Sequence, residues 1–335
     1  MDDLFSLIRT LVDVPSVTGN EGALAGLLEK HLAVRGYRVT LQEVAPGRPN
    51  VFATTVKPPA VVFCTHLDTV PPYYSSSEDD RFIYGRGACD AKGILATMME
   101  AAERLRQKGT DDVGLLFVVG EELDSIGAKH ANQLAPGSRY VVVGEPTENR
   151  LASGHKGTFK VKLRAQGKAA HSAYPDLGDS AIDRLLDALA SIRRADWGRS
   201  EVLGEATVNV GTISGGVAAN VIAPSAEASV FVRVVGRAAD VASRLDGLLS
   251  ADPKLGYEIV AQNDAVFCET LPGFETAPVA FGTDIPSLTA FGKPLLIGPG
   301  SIQVAHSADE KIEKREVLRA VELYCRVAEE LLARR

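Results

Sequence analysis

The sequence predicts an α/β protein of two domains: a mixed-sheet domain made of residues 1–154 and 265–335, and a two-layer α+β domain inserted over 155–264. Three observations predict this. Up to about residue 150, short apolar runs alternate with helical stripes, the rhythm of strands alternating with helices. From about 155 the pattern turns to alternating apolar and polar side chains, in the order β-α-β-β-α-β. After about 265 the character of the first part returns, with glycine-rich loops and a late histidine.

Each element has a local reason. Leu4, Leu7, Ile8 and Leu11 form a first helical stripe, Pro15-Ser-Val-Thr-Gly19 breaks it, and Leu24, Leu27, Leu28 and Leu32 form a second that ends near Gly36. Val39–Val44, Val51–Val56 and Ala60–Cys64 read as strands, and a helix over about 93–108 follows a glycine-rich segment around Asp90. Strands near 113–119 and 140–144 deliver Glu121–Glu122 and Glu145 at their ends, where sites of open α/β sheets lie. In the insert, Thr158–Ala165 alternates, a helix is expected near 178–194, strands at 206–213 and 226–234, a helix at 238–249, and a last strand at Tyr257–Ala261. Such a module leaves an exposed sheet edge, and pairing with a second copy is one way to cover it, so a homodimer is expected. Gly282-Thr-Asp-Ile-Pro286 and Ile297-Gly-Pro-Gly300 are loops, His306 follows, and a helix over about 312–333 closes the chain.

Composition narrows the function classes. Hydrophobic residues at 45% and charged residues at 24% are ordinary for a soluble globular protein. A formal charge of -7 without a basic block argues against nucleic acid as a partner. No run approaches about 18 apolar residues and no basic start precedes an apolar stretch, so neither membrane spanning nor export is expected. The four cysteines, at 64, 89, 268 and 325, form no CxxC pair and suit a reducing cytoplasm.

The chemistry lies in a constellation of acids and imidazoles. An adjacent acid pair such as Glu121–Glu122 is by itself an ordinary solvated turn, an HxD such as His66-Leu-Asp68 a polar loop, and Asp90 a helix cap. Together with Glu145 and His306 they supply two imidazoles and several carboxylates, enough for two divalent ions and one free base. The expected assignment places His66, Asp90 and Glu145 on one ion and His306, Asp90 and Glu122 on the other, Asp90 bridging ions about 3.5–4 Å apart. Asp68 is expected to accept the second ring N–H of His66, and Glu121 to stay off the metal as the acid/base. The mixed His/carboxylate set favours Zn2+; Co2+ and Mn2+ suit the same ligands.

The ordered segments His66-Leu-Asp68, Gly85-Arg-Gly-Ala-Cys-Asp90-Ala-Lys-Gly93, Glu121–Glu122, Gly144-Glu145-Pro146 and His306 resemble the M20 metallopeptidase family over nearly the whole chain. The resemblance implies a zinc-hydrolase catalytic domain with an inserted lid/dimerisation domain. It carries over His66, Asp90, Glu122, Glu145 and His306 as metal ligands, Asp68 as the group orienting His66, and Glu121 as catalytic acid/base. It also implies a cis peptide at Asp90–Ala91, an oxyanion-stabilising role for His171 and a substrate contact by Asn220. Arg233 and Lys156 are candidates for binding an α-carboxylate, and Thr283 for a hydrogen bond to substrate; a salt bridge at a strand edge is the alternative for Arg233. A glutamate at 145 resembles deacylases and carboxypeptidases more than aminopeptidases and tripeptidases. The expected substrate is a small N-acyl amino acid or short peptide. The leading expectation is an acetylornithine deacetylase-like enzyme of arginine biosynthesis. The alternatives are a succinyl-diaminopimelate desuccinylase and a glutamate carboxypeptidase-like peptidase. Ala91 departs from the methionine that many of the deacylases carry after the bridging aspartate.

Overall fold

The structure, a computed structural model, describes residues 2–55, 58–134 and 137–334. Residues 1, 56, 57, 135, 136 and 335, among them Val56 of the expected second strand, lie outside the described residues. The chain divides into two compact units: Met1–Ser153 with Cys268–Ala277 and Thr283–Arg335, and Gly154–Phe267 with Pro278–Gly282. The second unit therefore draws on a short late segment besides the insert.

The larger unit is built on a six-stranded mixed sheet. Its strands run, in spatial order, Arg38–Ala45, Arg48–Thr54, Val113–Val118, Val61–His66, Tyr140–Val143 and Lys293–Leu296. The last four are mutually parallel, while Arg48–Thr54 pairs antiparallel with Val113–Val118 and Arg38–Ala45. Every residue of Val61–His66 and Val113–Val118 is buried, as expected of strands covered on both faces. Helix Lys92–Gln107 packs on these two strands and against helices Asp2–Val12 and Lys314–Ala333; helix Gly22–Val34 covers the two antiparallel strands. The core joins Ile8, Leu24, Phe63, Leu95, Leu115, Phe117, Val321 and Leu331, each essentially inaccessible to solvent. Burying a side chain the size of Phe63 contributes about 1.5–3 kcal/mol.

The helix Lys92–Gln107 starts without a side-chain cap. Instead the Lys92 and Gly93 N–H groups donate to the Gly87 carbonyl at 2.8 and 3.3 Å. This wraps the Gly85–Asp90 loop over the helix start so closely that a Cβ on Gly93 would lie 2.2 Å from the Ala88 oxygen. The peptide Asp90–Ala91 is cis.

A small sheet not expected from the sequence joins Lys311–Glu313, Phe82–Tyr84 and Ser77–Glu78. Strands of two or three residues are too short to show a period, so only the pairing reveals them.

The smaller unit is a four-stranded antiparallel sheet in the order Thr207–Gly215, Ser225–Val234, Gly157–Gln166, Leu255–Asn263. Helices Ala181–Arg194 and Ala238–Leu249 pack on it. Gly157–Gln166 buries Phe159, Val161, Leu163 and Ala165 against these helices and leaves Lys160, Arg164 and Gln166 exposed. The mixed α/β unit with a separate α+β unit agrees with the fold class read from the sequence. The boundaries moved by a few residues: the helix expected from 178 begins at Ala181, preceded by a 3-10 turn at Pro175–Leu177, and the strand expected at Tyr257–Ala261 runs Leu255–Asn263.

Candidate metal centre

Three neighbouring parallel strands end at the same place. His66 is the last residue of the central strand, so it is anchored by the sheet rather than standing beyond it; Glu121–Glu122 and Glu145 follow the strands on either side. Asp90 arrives from the loop before helix Lys92–Gln107, and His306 from the turn after Gly300, with the left-handed φ of 63°.

These side chains converge. His66 Nε2 lies 3.0 Å from Asp90 Oδ1, and His306 Nε2 lies 3.3 Å from Asp90 Oδ2 and 3.0 Å from Glu122 Oε1. Asp90 thus offers one oxygen to each imidazole. The potential ligand atoms of His66, Asp90 and Glu122 all lie within 4.8 Å of one another, one cluster able to hold a cation.

Hydrogen bonding sets the tautomer of His66. Its Nδ1 is 2.8 Å from the main-chain oxygen of Asp68, which can only accept, so Nδ1 carries the proton. Nε2 faces Asp90 Oδ1 at 3.0 Å; burial lowers the ring's pKa, but the hydrogen bond to Asp90 and the nearby Glu145 and Glu121 outweigh it and hold His66 well above its usual value. At that separation a proton or a metal ion must lie between the ring nitrogen and the carboxylate. Ligand atoms about 2.0–2.1 Å from one tetrahedral ion stand about 3.3 Å apart, so the separations seen here fit a shared metal.

The acceptor on Asp68 corrects the sequence expectation. Its carboxylate Oδ1 is 3.7 Å from the His66 ring nitrogen, so the carboxylate does not take that N–H. Asp68 Oδ1 instead accepts the Glu121 N–H at 3.0 Å, while Oδ2 accepts the Glu122 N–H at 3.2 Å and the Thr18 hydroxyl at 2.8 Å. Fully buried, Asp68 pins the backbone of the acid pair and orients the imidazole through its own peptide.

The electrostatics are those of an acid-rich, desolvated centre. Burial pushes the carboxyls of Glu121 and Glu145 well above the usual carboxylate range, although His66 opposes it. Glu121 is partly exposed as a residue; its carboxyl is the deep part. His306 is raised to about 10 by its hydrogen bonds to Asp90 and Glu122. Asp284 is buried, and burial raises it to about 6. So many buried acids around two imidazoles attract divalent cations.

The remaining sequence candidates divide between the units. Thr283, in the larger unit, is buried and its Oγ1 accepts the Ile285 N–H at 3.1 Å, just ahead of the 3-10 turn Ile285–Ser287. In the smaller unit His171 and Asn220 come together on paired loops: His171 bridges Val221, and Ser172 N–H donates to the Asn220 carbonyl at 3.0 Å. His171 is exposed, with Nδ1 accepting the Ala173 N–H at 3.1 Å. Lys156 Nζ donates to the Glu205 carbonyl at 2.6 Å. Arg233 sits on an interior strand, so the edge salt bridge weighed for it has no edge to occupy; its guanidinium stacks 4.5 Å over Phe231, and burial lowers its pKa. Sequence reasoning passed over Thr18, Arg86 and Glu310. Arg86 stood inside a quoted motif, and Glu310 stands four residues after His306, but neither carries a local signal of its partners.

The profile of Peptidase family M20/M25/M40 matches residues 62–330. A peptidase M20 domain-containing protein of Schizosaccharomyces pombe is 37% identical over 337 residues, covering 97% of this chain and 84% of its own length. A probable carboxypeptidase of Talaromyces marneffei is 37% identical over 386 residues, covering 97% of this chain and 85% of its own. Among solved structures, aminopeptidase PepT of Bacillus cereus superposes with a TM-score of 0.83 at 20% identity, over 99% of this chain and 98% of that one, a likeness of fold.

Proposed function

The chain belongs to the M20/M25/M40 peptidase family, and from that premise we propose that it is a carboxypeptidase of short peptides, cleaving an amide whose leaving nitrogen bears an α-carboxylate. It is a metal-dependent hydrolase of that family. The observation that carries the chemistry is Asp90, whose two oxygens face His66 and His306 beside Glu122. In this reading His66, Asp90, Glu122, Glu145 and His306 hold the cations, zinc at both positions by preference. When bound, divalent cations polarise the scissile carbonyl and lower the pKa of the attacking water.

The protein's own groups do the rest. Glu121, raised by burial, takes a proton from the attacking water as the C–O bond forms and delivers it to the leaving nitrogen as the C–N bond breaks, yielding an acid and an amine. Asp68 holds the Glu121 and Glu122 peptides, keeping the base beside the ligand it must not replace. His171, Asn220, Arg233, Lys156 and Thr283 are proposed as substrate contacts, to be tested by KM changes in single variants. A homodimer and a cytoplasmic setting complete the proposal, with sedimentation testing the first. Among the described residues no helix is long and apolar enough to cross a membrane.

The names of the Talaromyces relative and several Aspergillus relatives, all probable carboxypeptidases, support this substrate class over the deacetylase expected from the sequence. N-acyl amino acids such as N-acetylornithine and N-succinyl-diaminopimelate contain the same bond and form the second reading, which Glu145 favours equally. The test is a panel assayed with zinc or cobalt: N-blocked dipeptides with free or amidated C-termini, both N-acyl amino acids, and free tripeptides. Cleavage of blocked dipeptides only with a free C-terminus supports the carboxypeptidase. Exclusive turnover of one N-acyl amino acid moves the protein to the deacylases, and cleavage of tripeptides alone removes both readings.

A further inference from the structure

The loop that carries Asp90 is built around a buried carboxylate that belongs to none of the groups assigned above. Glu310 is 1% exposed and immediately precedes the strand Lys311–Glu313, four residues after His306. Its Oε1 accepts three main-chain N–H groups, from Gly87 at 2.9 Å, Cys89 at 3.2 Å and Asp90 at 3.0 Å. Its Oε2 receives Nη1 of Arg86 at 2.5 Å, and Arg86 is itself 1% exposed. The same arginine donates Nε to the Pro72 carbonyl at 3.2 Å and lies 5.4 Å over the Tyr74 ring. Two main-chain bonds complete the seam: Gly85 N–H to the Glu310 carbonyl and Arg86 N–H to the Tyr74 carbonyl, both 3.1 Å. Three chain segments therefore meet at one ion pair: the one following His66 and Asp68, the one bearing Asp90, and the one following His306.

Stability alone is a poor explanation for such a pair, because a buried ion pair replaced by apolar residues of similar volume is often no less stable. What apolar residues cannot do is gather three N–H groups on one atom. A run of N–H groups converging on a single point is the backbone form used to bind anions, and here the anion is supplied by the chain itself. Convergence fixes the peptide planes leading into Asp90, and with them the direction in which its two oxygens meet His66 and His306.

We infer that Glu310, locked by Arg86, is a positioning residue that sets the Gly87–Asp90 loop so that Asp90 can be shared between the two histidines. The inference rests on the reading of Asp90 as a cation ligand, and its test separates the two. Metal-free full-length wild type, Asp90→Asn and Glu310→Gln are titrated with Co2+, following affinity and the visible absorption of the bound ion, with circular dichroism reporting the fold. Glu310→Gln keeps the shape but removes the charge that holds three N–H groups and Arg86. It is expected to bind Co2+ about 10–100-fold more weakly, the usual loss when a group supporting a ligand is removed, and with an altered visible spectrum. Folded Glu310→Gln with wild-type affinity and spectrum overturns the inference, even if its melting temperature falls, provided Asp90→Asn weakens binding. If Asp90→Asn binds Co2+ as wild type does, the ligand reading itself fails and the inference falls with it. Should Glu310→Gln not fold, Glu310→Asp decides: it keeps the charge beside Arg86 and draws the oxygens back by about 1.5 Å, one C–C bond. A weaker, spectrally shifted Co2+ complex supports the inference, and an unchanged one overturns it.

Discussion

In the larger unit the strands Val61–His66 and Val113–Val118 are buried at every residue, whereas Gly157–Gln166 in the smaller unit buries alternate residues and exposes Lys160, Arg164 and Gln166. A parallel strand covered on both faces has nowhere to put a polar group except at its ends. His66, Glu121, Glu122 and Glu145 accordingly stand at or just beyond the ends of three adjacent strands. An antiparallel sheet covered on one face spreads its charges over the other. Lys162 pairs there with Glu227 at 2.9 Å and Arg164 with Glu258 at 2.8 Å, exposed contacts that matter little to stability. In the function proposed above the two kinds of charge differ in consequence: at the strand ends, charges do chemistry or hold the groups that do; on the wet face they keep the sheet in water.

The sharpest way to break this contrast is Glu121→Gln, which should lower kcat by about 10²–10⁴ while leaving bound metal unchanged, read by steady-state kinetics and metal analysis on one preparation. Equal loss of metal and turnover would put Glu121 among the ligands and spoil the division of labour. Glu258→Gln, on the wet face, should leave both untouched. Next in size is the core. Phe63→Ala is expected to cost about 3–5 kcal/mol in denaturant unfolding, against no more than about 0.5 kcal/mol for Lys160→Ala. Similar losses for the two would mean that the buried strand is not what holds the larger unit together.

The units should also answer pH on opposite sides. Lys92 is buried, donates to the Val14 carbonyl at 2.6 Å, and has its pKa lowered by burial from 10.5 to about 8. Between those values the unfolded chain binds more protons than the folded one, so stability should rise with pH, by at most about 1.4 kcal/mol per pH unit. Lys92→Met should flatten that rise in unfolding measured from pH 7 to 11; an unchanged slope would leave Lys92 protonated throughout. Asp179, in the smaller unit, is lowered from 3.8 to about 2 by hydrogen bonds from Arg184 and Lys254. Its contribution is present above its unfolded pKa and fades as pH falls toward 2, so Asp179→Asn should remove an acid-side dependence and leave the alkaline one alone. The smallest effect belongs to Arg164→Ala, which should change stability by less than about 1 kcal/mol, and less still in high salt. A larger loss there would mean the exposed face is covered.

Much of this arrangement was legible in the sequence because its causes are local. Continuous apolar runs announced the strands that lead to His66, Glu122 and Glu145, and strict alternation announced the smaller sheet. Asp90 was visible because it stands among glycines that a close turn requires; a Cβ on Gly93 would collide with the Ala88 carbonyl. The acceptor of the His66 N–H was misread because two oxygens of the same residue compete for it. Which one wins depends on how the turn after the strand is pulled by the Glu121 and Glu122 peptides.

What the sequence determined by itself is the set of reactive groups, the order of the elements, and the periodicities that decide which faces are buried, since these follow from side-chain chemistry and backbone period. What only the tertiary structure decided is who holds whom. Arg86 and Glu310 are 224 positions apart, and Thr18 reaches Asp68 across 50. No local pattern encodes such contacts, because a hydrogen bond is settled within a few tenths of an ångström by where separate segments come to rest.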